Sequence, residues 1–445
     1  MTEKKPTPER LLLVGALFLT VAQTAFAQFD VSAGGSSVGQ IYSESPSVAQ
    51  GLSLSGSARA SYTLHLGDIK VRPHLGITAV RDDNLYLSSS DRKSDTYVVI
   101  TPGVMFLYGD ERYNYVYLDY QVGLSPDSDA ARETVDEQQL TAFGRYETGR
   151  SQYTVWHRYR DVRDVDTAVG ARISKVENLS FGGWDYRLSS KTSLGLLLNH
   201  GLYDFKDEDY ADYRQFEVAG RFYYHVSEKT QVFGQLGLGW VDMLDEADSI
   251  GDARYTEVSV GVRGRIRPKI DATGRVGVQF RDFRDPAVPD LTEWMAGLRF
   301  DARPYGHLNC WLGLWGDIQP AINAPGFSVV EWRVEPGVSH RLWMEQLVAS
   351  LSGLWGVAHY RGPASVAVDA GGKPPEAESV FDSRRDTFWG FTVALDWFCH
   401  RYASIGGGYS YIRNDSNIED SPGWTRGDIA AYDGGRWFLR ASVNF

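Results

Sequence analysis

Arginine recurs at alternate positions along several runs of this chain. Arg263 and Arg265 are two apart, Arg275 and Arg281 six apart, and Arg158, Arg160, Arg221, Arg299, Arg333, Arg436 and Arg440 fall at the polar phase of their own runs. A guanidinium is a planar fork that grips carboxylate or phosphate oxygens and holds its charge at every physiological pH. A wall of them along an aqueous path would attract anionic solutes or an anionic polysaccharide. Arg263, Arg265, Arg275, Arg281, Arg299, Arg333 and Arg440 are therefore the pore-lining candidates. The same phase carries Glu217, Glu257, Asp271, Asp301, Glu331, Glu335 and Asp396. Pairing with these would cancel the field, and the sequence leaves both readings open. Tyr115, Tyr117, Trp156, Trp311 and Trp315 share this phase as well. Such rings could stack on sugar faces or fill an interior.

Catalytic spacing is missing. The chain has neither G-x-S-x-G nor H-E-x-x-H, the patterns that expose a nucleophile or hold a zinc-bound water. The nine His are scattered, and His157 alternates with Tyr153, Val155 and Tyr159, which suits an interface position. Cys310 and Cys399 each alternate with an apolar set and read as small wall residues, in preference to a disulfide or metal pair. Between the runs, acids gather: Asp127, Asp129, Asp161, Asp164, Asp166, Asp204, Asp207, Glu208, Asp209, Asp245, Glu246 and Asp248. They read as solvated loop charge, the alternative being divalent cations that bridge surface lipopolysaccharide. No catalytic residue, cofactor or resident metal is expected. The net charge of −12 argues against a nucleic-acid partner.

The element that puts alternate residues on opposite walls is the β-strand. Ile270, Ala272, Val276, Val278 and Phe280 oppose Asp271, Thr273, Arg275, Gln279 and Arg281. These runs are about 10–14 residues long, the length a tilted strand needs to cross a bilayer, whereas sandwich strands are nearer 5–6. The last run places Trp437, Leu439, Ala441, Val443 and Phe445 on one face. This looks like the C-terminal recognition signal read by the barrel-assembly machinery of Gram-negative outer membranes. At the other end, Lys4, Lys5 and Arg10 precede an apolar stretch from Leu11 to Val21 and an Ala25-Phe26-Ala27 site. That is the pattern of a signal peptide spanning residues 1–27, with the mature chain starting at Gln28 in the secreted, outer-membrane route.

Tight breaks, such as Gly109-Asp110, Arg267-Pro268 and His400-Arg401, alternate with longer polar ones, such as Asp161–Ala171, Gln319–Pro325 and Gly362–Arg384. Nine long breaks separated by eight short ones give 18 strands from residue 69 to 445, with 16 as the other even count. The expected fold class is all-β, a transmembrane antiparallel up-and-down barrel, with short turns on the periplasmic side and long loops outside. Residues 28–68 are Gly- and Ser-rich in their first half and read as a flexible segment, periplasmic or lumen-lying. Gly56 to Leu66 alternates weakly, but a further strand would spoil the even count.

The stretch Ile69-Lys-Val-Arg-Pro-His-Leu-Gly-Ile, then Arg81-Asp-Asp-Asn-Leu-Tyr, then Ser94-Asp-Thr-Tyr-Val-Val-Ile-Thr-Pro-Gly-Val, resembles the outer-membrane β-barrel porins associated with exopolysaccharide biosynthesis loci. Asp82, Asp83, Asn84, Ser94, Asp95, Pro102 and Gly103 carry the match, which covers mainly residues 69–125. The resemblance implies a barrel assisting export of an anionic exopolysaccharide, with no catalytic residues. Expected partners are outer-membrane lipid and lipopolysaccharide, the assembly machinery, and exopolysaccharide or periplasmic export components. A general small-solute porin and a non-conducting scaffold barrel remain the alternatives. A wide lumen with an ordered periplasmic N-terminus would favour the conduit, an inward constriction loop with an Arg-rich strip the small-solute porin, and a lumen plugged by residues 28–67 the scaffold. Pro102 lacks an N–H for an interior ladder, so a β-bulge at Pro102-Gly103 is expected.

Overall fold

In a computed structural model the described residues are 64–87, 92–110, 114–125, 137–166, 171–207, 209–324, 326–342, 346–362, 384–417 and 431–445. In chain order the strands are β1 (Leu64–Leu66), β2 (Ile69–Asp82), β3 (Asp95–Gly109), β4 (Tyr115–Gly123), β5 (Glu137–Glu147), β6 (Ser151–Asp166), β7 (Ala171–Arg187), β8 (Thr192–Phe205), β9 (Tyr213–Ser227) and β10 (Thr230–Met243). There follow β11 (Ala253–Arg267), β12 (Ile270–Phe283), β13 (Leu291–Tyr305), β14 (Leu308–Pro320), β15 (Ser328–Leu342), β16 (Leu347–Arg361), β17 (Arg385–His400), β18 (Ala403–Ser416) and β19 (Tyr432–Asn444). Each strand from β2 to β19 pairs antiparallel with its sequence neighbour. β19 pairs back onto β2, from Arg436↔Asp82 to Asn444↔His74. The fold is thus a closed 18-strand antiparallel barrel, and closure leaves no long edge unpaired.

The two walls separate as the alternation requires. Val258, Val276, Phe280, Trp294 and Leu395 stand exposed outside, while Glu257, Ser259, Arg275 and Gln279 are buried inside. Connections at one end have short turns, such as Pro268-Lys269 with Lys269 at φ 68. Those at the other end are longer, and one holds a short 3-10 helix, Glu246–Gly251. One expected break is corrected. β6 and β7 pair out to Asp166↔Ala171, so Asp161–Asp166 is strand and not loop. Ladder bonds are made by backbone groups, so this run of mixed polar residues and valines can stay in the strand.

The bulge expected at Pro102-Gly103 is also absent. Pairing with β2 runs unbroken through Leu75↔Pro102 and His74↔Gly103. On the other side, Ile100 and Leu124 exchange both backbone bonds in the register set by Gly103↔Gln121. Pro102 therefore falls where the next bonded pair would be, and the ladder omits that pair without slipping. Pro336 repeats the device, since β15 and β16 skip from Val334↔Trp355 to Gly337↔Ser352 in constant register. Gly103 has a separate role. The His74 ring crosses above it, where a Cβ would collide, and reaches Asp119 Oδ1 at 3.1 Å.

Residues 1–63, including the signal-peptide and most of the N-terminal-segment expectations, lie outside the described residues. Leu64–Leu66 does form a strand, against the reading of that stretch as unpaired. It lies on β2 beyond the end of β19, from Leu64↔Val71 to Leu66↔Ile69, and so adds no stave to the barrel. Pro73 occupies the gap between the two partners, and its carbonyl accepts from Phe445 N at 2.8 Å.

Candidate functional site

The interior is built by the inner faces of β2–β19. A buried polar network lies on β9–β12. Arg221 Nε donates to Gln235 Oε1 at 2.6 Å, Gln235 Nε2 to Glu257 Oε1 at 3.1 Å, and Ser259 Oγ to the same carboxylate at 2.7 Å. Arg275 pairs with Glu257, whose side chains are 4% and 0% exposed respectively. Arg263 reaches Asp185 at 3.3 Å, from β11 to β7, a contact made possible because both point into the same interior. Arg265 pairs with Asp271 at 3.1 Å, Arg299 with Asp301 at 3.0 Å and Arg440 with Asp396 at 2.7 Å. Arg333 lies between Glu331 at 3.2 Å and Glu335 at 2.9 Å.

Arg281 is held differently. Its guanidinium donates to Ser328 Oγ at 3.2 Å and to the Ile318 carbonyl at 3.0 Å, and it lies 5.7 Å from the Tyr255 ring centroid. Of the seven pore-lining candidates, six therefore carry a carboxylate partner and Arg281 carries neutral oxygens. Sequence reasoning named Glu257, Asp271, Asp301, Glu331, Glu335 and Asp396 but missed Asp185, which lies far from Arg263 along the chain.

The partners of Arg281 flank the β14–β15 connection, and this segment turns inward. Ala321 and Phe327 are buried with Val329, Ala358, Tyr360 and Phe388 on the inner side of β15–β17. Ile322 joins a second inner cluster with Tyr203, Tyr213, Val241 and Tyr255 on β8–β11. The Ile322 carbonyl accepts from Ala211 N at 2.8 Å. Described residues of the connection thus pack against two separated parts of the inner wall. Its apolar composition, Ala321-Ile322-Asn323-Ala324, was the available signal, since a solvated loop does not need it. Of the lumen-phase aromatics, Tyr115 and Trp156 belong to the second cluster, Tyr117 packs against it, and Trp315 is buried on β14.

The family-motif residues join the first strand to the last. Asp82 pairs with Arg436 at 2.6 Å and also accepts from Asn84 N at 3.0 Å. Asp83 Oδ1 accepts from Gly435 N at 2.6 Å, and Asn84 Nδ2 donates to the Asp433 carbonyl at 2.8 Å. Ser94 is exposed, and Asp95 stands opposite Asp82 at the start of β3. On the terminal strand, Trp437, Leu439, Ala441 and Phe445 are exposed on the outer face and Val443 is half-buried.

At the long-loop mouth, burial pushes the Asp212 carboxyl up. A bond from Phe205 N opposes this, and Asp204 and Asp245 reinforce it. Burial, with Asp245 and Asp212, also raises Asp248. Asp127, Asp129 and Glu208 lie outside the described residues. Among the described residues no group of three or more His, Cys, Asp or Glu is placed to hold a metal ion. Cys310 and Cys399 are free thiols on β14 and β17.

No family model matches the chain. No curated protein matches it either. Solved structures that resemble it include Pseudomonas aeruginosa OpdK with vanillate, at 11% identity and TM-score 0.42 over 84% of this chain and 99% of that one. P. aeruginosa OccK9 (OpdG) gives 13% identity and TM-score 0.44 over 85% and 99% of the two chains. The outer membrane channel DcaP of Acinetobacter baumannii gives 11% and 0.38 over 85% and 97%.

Proposed function

We propose that this protein is an outer-membrane porin for small solutes, with passage limited by the inward β14–β15 connection. The observation that carries the reading is the position of Ala321, Ile322 and Phe327 in two inner-wall clusters of a closed 18-strand barrel. Barrels of 16–18 strands enclose an aqueous channel unless something enters it. The exposed apolar outer wall and the polar inner wall support a membrane setting. The exposed row Trp437, Leu439 and Phe445 fits recognition by the assembly machinery. An exopolysaccharide conduit would call for an open basic path. Carboxylate partners on six of the seven candidate arginines and the packing of Ala321, Ile322 and Phe327 on the inner wall weigh against it.

Single-channel recording in planar bilayers tests this. Wild-type protein should conduct, and removing residues 321–326 should raise the conductance several-fold. A barrel that stays silent in both forms would point to the scaffold role. Selectivity should be weak in the wild type because the arginine fields are neutralised locally. Arg263→Glu leaves two acids facing each other across the interior, so it should move selectivity toward cations.

A further inference from the structure

Five consecutive short turns, from β5–β6 to β13–β14, each carry an exposed cation with no carboxylate partner among the described residues. These are Arg150, then Arg187 and Lys191, then Lys229, Arg267 and Arg303. Two further cations there are engaged: Arg265 pairs with Asp271, and Lys269 donates to the Pro304 carbonyl. Of the acids at these turns, Glu147 is held by Arg145 and Asp271 by Arg265, which leaves exposed Glu228 without a partner among the described residues. Exposed cations at the long-loop rim are more often matched. Arg92, Lys206, Arg214, Arg284, Arg361 and Arg413 each hold a carboxylate. The whole chain has 57 acids to 45 basic residues, so the unmatched arc does not reflect bulk composition.

Successive short turns are two strands apart, about 10 Å at about 4.8 Å per strand, so the arc is about 40 Å long. Charges at that spacing coexist at little cost, because exposed fields are screened within about 8 Å at physiological ionic strength. A partner with acids at similar intervals meets them one by one. We infer that the rim from β5–β6 to β13–β14 docks a linear acidic polymer on the periplasmic side, namely peptidoglycan through the carboxylates of its peptide stems. A polymer engages all the turns for one loss of translational freedom, whereas separate lipid headgroups must each be ordered in turn. Each exposed ion pair is weak alone, so binding comes from the number of contacts and salt releases it. The inference rests on the short turns facing the periplasm, as the barrel reading above requires, and not on whether the barrel conducts.

The test uses the full chain folded in detergent, mixed with purified peptidoglycan sacculi and sedimented. Wild-type protein should pellet with the sacculi at physiological salt and be released at about 1 M salt, where screening acts within about 3 Å. Combining Arg150→Gln, Lys191→Gln, Lys229→Gln and Arg267→Gln removes one exposed cation from each of four turns. Affinity for sacculi should then fall about tenfold or more, because weak contacts add across a multivalent surface. Gel mobility of the unboiled variant should match wild type, since all four side chains are exposed. Sacculi with amidated stem carboxylates should bind wild-type protein no better than untreated sacculi bind the quadruple variant. Arg254→Gln with Arg385→Gln discharges the other rim and should leave sedimentation unchanged. Equal pelleting of wild type and the quadruple variant overturns the inference, as does wild-type protein that stays in the supernatant. It is equally overturned if the four substitutions weaken only binding to phosphatidylglycerol vesicles, because the rim would then serve lipid headgroups. Conductance recorded in parallel separates the readings: a silent barrel that pellets sinks the porin proposal alone, and a conducting barrel that never pellets sinks this inference alone.

Discussion

Glu257 shows what a buried interior charge demands. It receives Arg275, Gln235 and Ser259, and it has no exposed surface. Removing one partner of such a group leaves the other charged and dry, which costs about 3–5 kcal/mol. Glu257→Gln should therefore lower the urea midpoint of the refolded barrel markedly. The outer wall follows the opposite rule. Val278 lies opposite Val258 and Trp294 on the apolar face. Val278→Arg should cost about 2–4 kcal/mol in lipid bilayers if the site is near the midplane. An unchanged folding free energy in vesicles would place that strand face away from lipid.

Two acidic loops meet at the level of the elements. Leu244 N donates to the Asp212 carbonyl at 2.9 Å, joining the β8–β9 and β10–β11 connections. The carboxyls of Asp212 and Asp248 are both raised, by burial first and by neighbouring acids second. A raised folded-state value means that the native loops bind more protons than the unfolded chain does. Stability therefore falls as pH rises from the ordinary carboxylate value through the folded one, and acidification tightens the loops. Hydrogen exchange at the Leu244 amide, corrected for intrinsic rates, should slow below that window. Faster exchange in acid would show that the carboxylates hold the loops together.

For the whole molecule the critical event is closure of β19 onto β2. Asp82, Asp83 and Asn84 bond through side chain and backbone to Arg436, Gly435 and Asp433 at the far end of the chain and to their own turn. Asp82→Ala with Asn84→Ala should leave a barrel that still migrates faster unboiled, yet unfolds at a lower temperature on that gel assay. Loss of the Asp82–Arg436 contact alone should account for about 1.5–3 kcal/mol. A double variant as heat-resistant as wild type would make the motif dispensable for closure.

Much of this architecture was legible in the residues. The period of two gave the walls, and the turn spacing gave 18 staves, because backbone geometry forces alternate side chains apart wherever one face is apolar. Individual candidates on the inner phase, from Arg263 to Arg440, followed from the same alternation. Polar Asp161–Asp166 misled because strand pairing can outrun the apolar belt. The partner of Arg263, the role of Asp82-Asp83-Asn84 and the inward turn of Ala321–Phe327 were decided by tertiary structure alone. Each depends on groups brought together from distant strands: Asp185 with Arg263, Asp82 with Arg436, and Ile322 with Tyr213. Alternation fixes which wall a side chain joins, whereas barrel closure decides what faces it.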